Sequence, residues 1–130
     1  MDGYSPTPQA RKLGLKPGLR VSLDKPPPGW RLTDPPDVSH VPDGAADVIV
    51  AFVRAEADLA PRVEALGHRI FPAGALWIAW PRKAAGHISD MTENAVRDAA
   101  LPLGLVDVKV AAIDDDWSGL KLVWRVEKRS

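Results

Sequence analysis

FPAGALWIAWPRKAAGHISDMTENAV, residues 71–96, is the stretch from which the fold is read. Ala75 to Trp80 (ALWIAW) is apolar without alternation, which predicts a strand buried on both faces. Pro81 marks its exit, because proline cannot donate to a ladder. Arg82 to Ser89 is a small polar loop. Asp90 opens a helix expected to run to about Leu103. Asp90-x-x-Glu93 fits a capping-box spacing, with Thr92 as the competing cap. Pro102 should distort the last turn of that helix.

The same unit recurs upstream. Asp47 to Val53 (DVIVAFV) reads as a second doubly buried strand. Ala55 to Leu66 follows as a helix, with Leu59, Val63 and Leu66 on one face. Gly67 is its expected stop, which puts His68 just past the C-terminus. Downstream, Val106–Ile113 and Leu120–Val126 are strands joined by a turn over Asp114 to Gly119, hence antiparallel. Leu19 to Leu23 is a short first strand.

Before residue 43 the pattern breaks down, and most of the 13 prolines lie there. Thr7 is the expected N-cap and Pro8 the first residue of a short helix ended by Gly14. That helix is expected to cover the edge of the first strand. Asp24 to Pro42 reads as a proline-rich loop, long for a compact domain. Residues 1–130 are read as one domain. It has an arm at 1–18, a proline-rich segment at 24–46 and a regular α/β portion at 47–130.

Composition narrows the functions open to such a chain. Formal net charge is zero, so nothing marks it for nucleic acid or an anionic membrane. There is no cysteine, which excludes thiol catalysis, disulfides and Cys-ligated zinc. No apolar run approaches the roughly 20 residues of a spanning helix. No signal-peptide core is seen in MDGYSPTPQARKLGL, so a cytoplasmic location is expected.

Strands alternating with helices give a parallel sheet with right-handed crossovers. In this order GLKPGLRVSLDKPPPGW, AADVIVAFV, FPAGALWIAWP and LGLVDVKVAAIDDDWSGLKLVWRV resemble the first strand and the C-terminal half of class I S-adenosylmethionine-dependent methyltransferases. The resemblance implies a three-layer Rossmann-like α/β fold. Its sheet would be five-stranded and mostly parallel, ordered 1-2-3-5-4, with strand 5 antiparallel. The family's G-x-G loop is replaced by Asp24-Lys25-Pro26-Pro27-Pro28-Gly29, whose prolines lack N–H donors and block close approach. The family's acidic second strand has no counterpart. The expectation is a reduced, methyltransferase-like fold without that cofactor. A second resemblance runs nearly full length. GYSPTPQARKLGLKPG, ALWIAWPRK and DDDWSGLKLVWR are similar to a family of small uncharacterised bacterial proteins, classed as a domain of unknown function. It implies no activity.

In open α/β sheets ligands bind outside the carboxyl ends of the strands. The segments expected there are Asp24–Trp30, Arg54–Asp58, Pro81–Thr92 and Asp114–Trp117, with Trp117 placed near Trp80. Arg82 and Lys83 before the helix start at Asp90 and Thr92 suit an anion, or else are solvated charges or part of a structural ion pair. His87 is the acid–base candidate of the loop. Ser89 and Asp90 beside it suggest a triad, but adjacency is not triad geometry and no nucleophile elbow is present. Asp114-Asp115-Asp116 matches no calcium loop and reads as turn chemistry, so no metal is expected. Trp77 and Trp124 read as core, whereas Trp30, Trp80 and Trp117 suit an apolar pocket or a partner interface, or equally anchor the long N-terminal loop onto the sheet. Tyr4 and Ser5 have no clear role in this reading, and Thr7 has none beyond its cap.

Two functions fit these residues. One is a non-catalytic module that binds a ligand or a protein, with a homodimer favoured by two exposed sheet edges. The other is a small enzyme acting on an anionic or phosphorylated molecule through Arg82, Lys83, His87 and Asp90.

Overall fold

Val48–Phe52 (β3) and Ala75–Pro81 (β4) are buried at every position. They lie side by side in parallel, Val48 opposite Ala75 and Phe52 opposite Ala79. A computed structural model describes residues 7–129 around this pair; Tyr4 and Ser5 lie outside the described residues. Arg20–Asp24 (β1) pairs parallel with β3. Beyond β4 the hairpin of Leu105–Ala112 (β5) and Trp117–Trp124 (β6) inserts its second arm antiparallel against β4. A two-residue strand, Ser39–His40 (β2), pairs parallel with the outer edge of β1.

The sheet therefore has six strands, ordered β2-β1-β3-β4-β6-β5, rather than five. The added strand comes from the segment read as loop. Both its residues are exposed and only their backbone pairs, so no apolar pattern announces it. The inserted antiparallel strand is as expected.

The two faces are covered differently. On one, Leu59–Arg69 (α2) and Glu93–Ala100 (α3) pack through Leu59, Val63, Leu66, Val96 and Ala100 onto Ile49, Ala51, Leu76, Ile78 and Trp80. On the other, Val48, Val50, Phe52, Trp77 and Ala79 are covered by Gln9–Leu13 (α1) and by Trp30, Leu32 and Val38 of the proline-rich segment. The third layer is thus one short helix and a loop.

Several boundaries shift. Gly67 does not stop α2, which runs on to Arg69. A Cβ at Gly67 would meet Leu105 Cδ1 at 3.1 Å, so the glycine admits a close strand. His68 consequently sits in the last helical turn. Thr92, not Asp90, caps α3, accepting from the Ala95 N–H at 3.0 Å. The α-helix ends at Ala100, and Leu101–Leu103, which holds Pro102, is a 3-10 turn. Pro8 occupies the N-cap of α1, so Thr7 precedes it, and Gly14 ends the helix at φ 75° as expected. Nor does α1 guard the edge of β1. Lys12 Nζ donates to the Ala112 carbonyl at 2.9 Å and Gln9 Nε2 to that of Ile113 at 3.1 Å, tying α1 to the far hairpin.

At the amino ends of the strands the chain is closely knit. Asp47 accepts from the Arg20 side chain and backbone N–H, at 2.8 Å for the latter. These bonds hold the Asp47 carboxyl below its ordinary range. Arg97 lies between Asp107 and Glu93, and its bond to Asp107 lowers that carboxyl likewise. Arg69 donates to the Gly44 carbonyl at 2.7 Å and to Ser22 Oγ at 3.1 Å. Among the described residues no helix is long and apolar enough to cross a membrane.

Candidate functional site at the carboxyl end of the sheet

From β1 the chain moves outward to β2, then crosses to β3 on the other side of β1. That reversal makes the carboxyl ends of β1 and β3 the switch point where doubly wound folds leave a crevice. Two clefts open along this rim. The larger, about 430 Å³, is lined by Pro27, Pro28, Gly29, Trp30, Arg54, Pro81, His87, Asp114, Asp116 and Trp117. The smaller, about 330 Å³, lies against Lys25, Phe52, Arg54, Asp58, Pro61 and Arg62. Arg54 borders both.

The aromatic wall follows from the strand ends. Phe52 is the last residue of β3. Trp30 meets its ring edge-on at 4.8 Å and Trp117 at 5.0 Å, arrangements that suit the ring quadrupoles. Trp30 is delivered by a tight turn, its N–H bonding the Pro27 carbonyl at 3.0 Å. Gly29 has φ 76°, as the third position of a type II turn requires after Pro28. The indole Nε1 of Trp30 then donates to Asp114 Oδ2 at 2.8 Å.

Asp114 also builds the β5–β6 turn. Its Oδ1 accepts from the N–H groups of Asp116 at 2.8 Å and Trp117 at 2.9 Å. Both its oxygens are therefore committed within the protein. His87 Nε2 lies 2.9 Å from Asp116 Oδ1 and joins the β4–α3 loop to this turn. Arg54, just beyond β3, sets its guanidinium carbon 5.1 Å from the centre of the Trp117 ring, within cation–π range.

The structure brings Trp30, His87 and Trp117 to the cleft and leaves the other sequence candidates outside it. Trp80 is buried among α2 and α3, on the opposite face from Trp117. The two are only one rung apart, Trp117 being opposite Pro81, but alternation turns them away from each other. Arg82 donates to the carbonyls of Asp115 at 3.1 Å and Asp114 at 3.4 Å, which fastens the hairpin turn. Lys83 is exposed in a 3-10 turn, Lys83–Ala85. Asp90 accepts from the Glu56 N–H at 2.9 Å, and Thr92 is occupied as the cap of α3. Ser89 Oγ donates to the Arg54 carbonyl at 2.8 Å, so Ser89, His87 and Asp90 form no triad. Among the described residues no three His, Asp or Glu side chains gather as a metal cluster.

Arg54, Asp114 and Asp116 lie in segments expected at this rim, but the sequence marks the two aspartates only as turn residues and gives Arg54 no role. Arg54 is a single exposed charge after a strand, and only the place where β3 ends gives it significance.

The fold has a counterpart among solved structures. A protein of Thermoplasma acidophilum described as a putative methyltransferase superposes with a TM-score of 0.52 at 8% identity, over 86% of this chain and 70% of that one. At that identity the likeness is one of fold. No protein-family model and no curated relative matches the chain. The resemblance to the small bacterial family rests on its motifs alone.

S-adenosylmethionine, the cofactor that this fold implies, does not suit the crevice in its usual mode. Arg62 of α2 occupies the space between the ends of β1 and β3. Its Nη1 donates to the Phe52 carbonyl at 2.6 Å, and its Nε and Nη2 bind the Asp24 carboxylate. Beside it three consecutive prolines stand where backbone donors would be needed. The strand on the outer side of β1 is Ser39–His40, which offers no carboxylate for ribose hydroxyls.

Proposed function

We propose that this chain is a non-catalytic module that binds a small ligand in the carboxyl-end cleft beside Trp30 and Trp117. The observation that carries the reading is one of position. An aromatic-walled cleft of about 430 Å³ stands on the rim where doubly wound folds bind ligands. The absence of catalysis is argued from how the polar groups are used. Asp114 is spent on a turn and an indole, Arg82 on two carbonyls, and Asp90 and Ser89 on backbone. Such groups position loops and do not converge on a reacting atom.

A thermal-shift screen of amino acids, nucleotides, phosphates and S-adenosylmethionine tests the reading. A ligand at about 100 times its dissociation constant adds roughly 2.7 kcal/mol of stability, a readily seen rise in Tm. We expect such a rise with a small molecule that is recovered chemically unchanged. A rise with S-adenosylmethionine would contradict the assignment of the crevice to Arg62 and the prolines.

The reading of a small enzyme acting on an anion has one observation in its favour. His87 with Asp116 is a histidine oriented by a carboxylate at the cleft, as general bases often are. Conversion of the bound molecule by the wild type and its loss in His87→Gln would establish that reading instead.

A further inference from the structure

The charges around the larger cleft are not of one sign. Arg54 is exposed, and among the described residues no carboxylate lies within ion-pair distance of its guanidinium. The cation–π contact with Trp117, 5.1 Å from guanidinium carbon to ring centre, needs no acceptor from the guanidinium, so its N–H donors can serve a carboxylate. Asp116 stands on the same cleft with its side chain 62% exposed, and His87 engages only Oδ1. Asp114 is the poorer partner for a cation, since its oxygens already accept three N–H groups, although its charge adds to that of Asp116.

We propose that the cleft takes a small zwitterion of the free amino-acid type, its carboxylate on Arg54, its ammonium on Asp116 and its side chain against Trp30 and Trp117. The proposal rests on the binding reading above and names the ligand class. A phosphate or other multiply charged anion would meet the carboxylates of Asp114 and Asp116 as well as the one guanidinium. A simple cation would meet Arg54. A molecule with both charges satisfies each pole and repels neither. The volume, about 430 Å³, sits at the low end of the range of about 300–1,000 Å³ for ligand pockets, which favours a molecule of this size.

Titration calorimetry with three compounds of one shape tests the assignment: L-phenylalanine, 3-phenylpropanoate (carboxylate only) and 2-phenylethylamine (ammonium only). Each half-exposed charge contact is worth up to about fivefold in affinity. We expect L-phenylalanine to bind more tightly than either relative, by up to about fivefold. Arg54→Met should reduce its affinity to about that of the amine, and Asp116→Asn to about that of the acid. Both residues are exposed, and an unchanged Tm of each free variant confirms that it folds. Equal binding of all three compounds, or binding of L-phenylalanine indifferent to both substitutions, would overturn the proposal. If none of the three binds while inorganic phosphate or a nucleotide does, the ligand class is wrong and the binding reading stands. If no compound of the wider screen binds, both fail.

Discussion

At the amino ends of the strands, Arg20 and Asp47 bond each other, Arg69 bonds Gly44 and Ala46, and Gly74 bonds Ile70, which leaves little space. A Cβ on Gly74 would stand 2.8 Å from the Asp47 carbonyl and 2.9 Å from that of Ile70. At the carboxyl ends the same strands open onto two clefts, and Arg54 faces solvent between them. The difference lies in what the connections supply. At the amino end, Gly44 to Asp47 leads straight into β3 and is pinned by Arg69 and Arg20. At the carboxyl end, prolines and tryptophans form walls whose polar atoms bind each other. Under the proposed function, stability and recognition fall at opposite ends of one sheet.

Substitutions at the two ends should therefore separate the properties. Gly74→Ala is expected to cost most, about 2–3 kcal/mol, because the close atoms are backbone and Ile70 Cβ and cannot swing away. Urea unfolding should show this with ligand binding intact in the folded fraction. Arg62→Met tests the part of the carboxyl end that the Arg62 side chain fills, between the ends of β1 and β3. It strips the partner from the half-buried Asp24 and the Phe52 carbonyl, and should cost about 1–2 kcal/mol. It should not confer binding of S-adenosylmethionine, since the prolines remain. Arg54→Met should change unfolding free energy by less than about 0.5 kcal/mol, as an exposed side chain does, while weakening any anionic ligand.

The smallest effect is that of acid. Asp47 and Asp107 have folded pKa values below the ordinary 3.8. Their contribution is complete above that value, where both states are ionised, and is lost as pH falls through the lower folded values. The urea midpoint should decline below about pH 4. In the Asp47→Asn, Asp107→Asn variant it should start lower at neutral pH and decline less.

The fold is legible in the sequence where burial is two-sided. DVIVAFV and ALWIAW need no other signal, since only central strands of such a sheet are apolar without alternation. Gly67 misleads because a glycine near the end of an apolar stripe resembles a helix stop. Its reason, the approach of Leu105 and Trp124, exists only in the folded chain. Ser39–His40 escapes notice because backbone pairing leaves no trace in side chains. The site was half legible. Its place on the rim follows from strand order, and Trp30, His87 and Trp117 from their nearness to strand ends. Trp80 and Trp117 are separated by the parity of their rungs, and the grip of Arg82 on a distant turn depends on tertiary geometry.

The most direct test of the ligand cleft is a fragment screen followed by nitrogen-15 NMR, read at the five indole N–H signals. Trp77 and Trp124 hold their N–H groups on the carbonyls of Leu13 and Gly67 in the interior, away from the rim. Binding in the cleft predicts that Trp30 and Trp117 shift together while Trp77 and Trp124 stay fixed. Shifts confined to Trp124, or none at Trp30 and Trp117 with any fragment that binds, would contradict it.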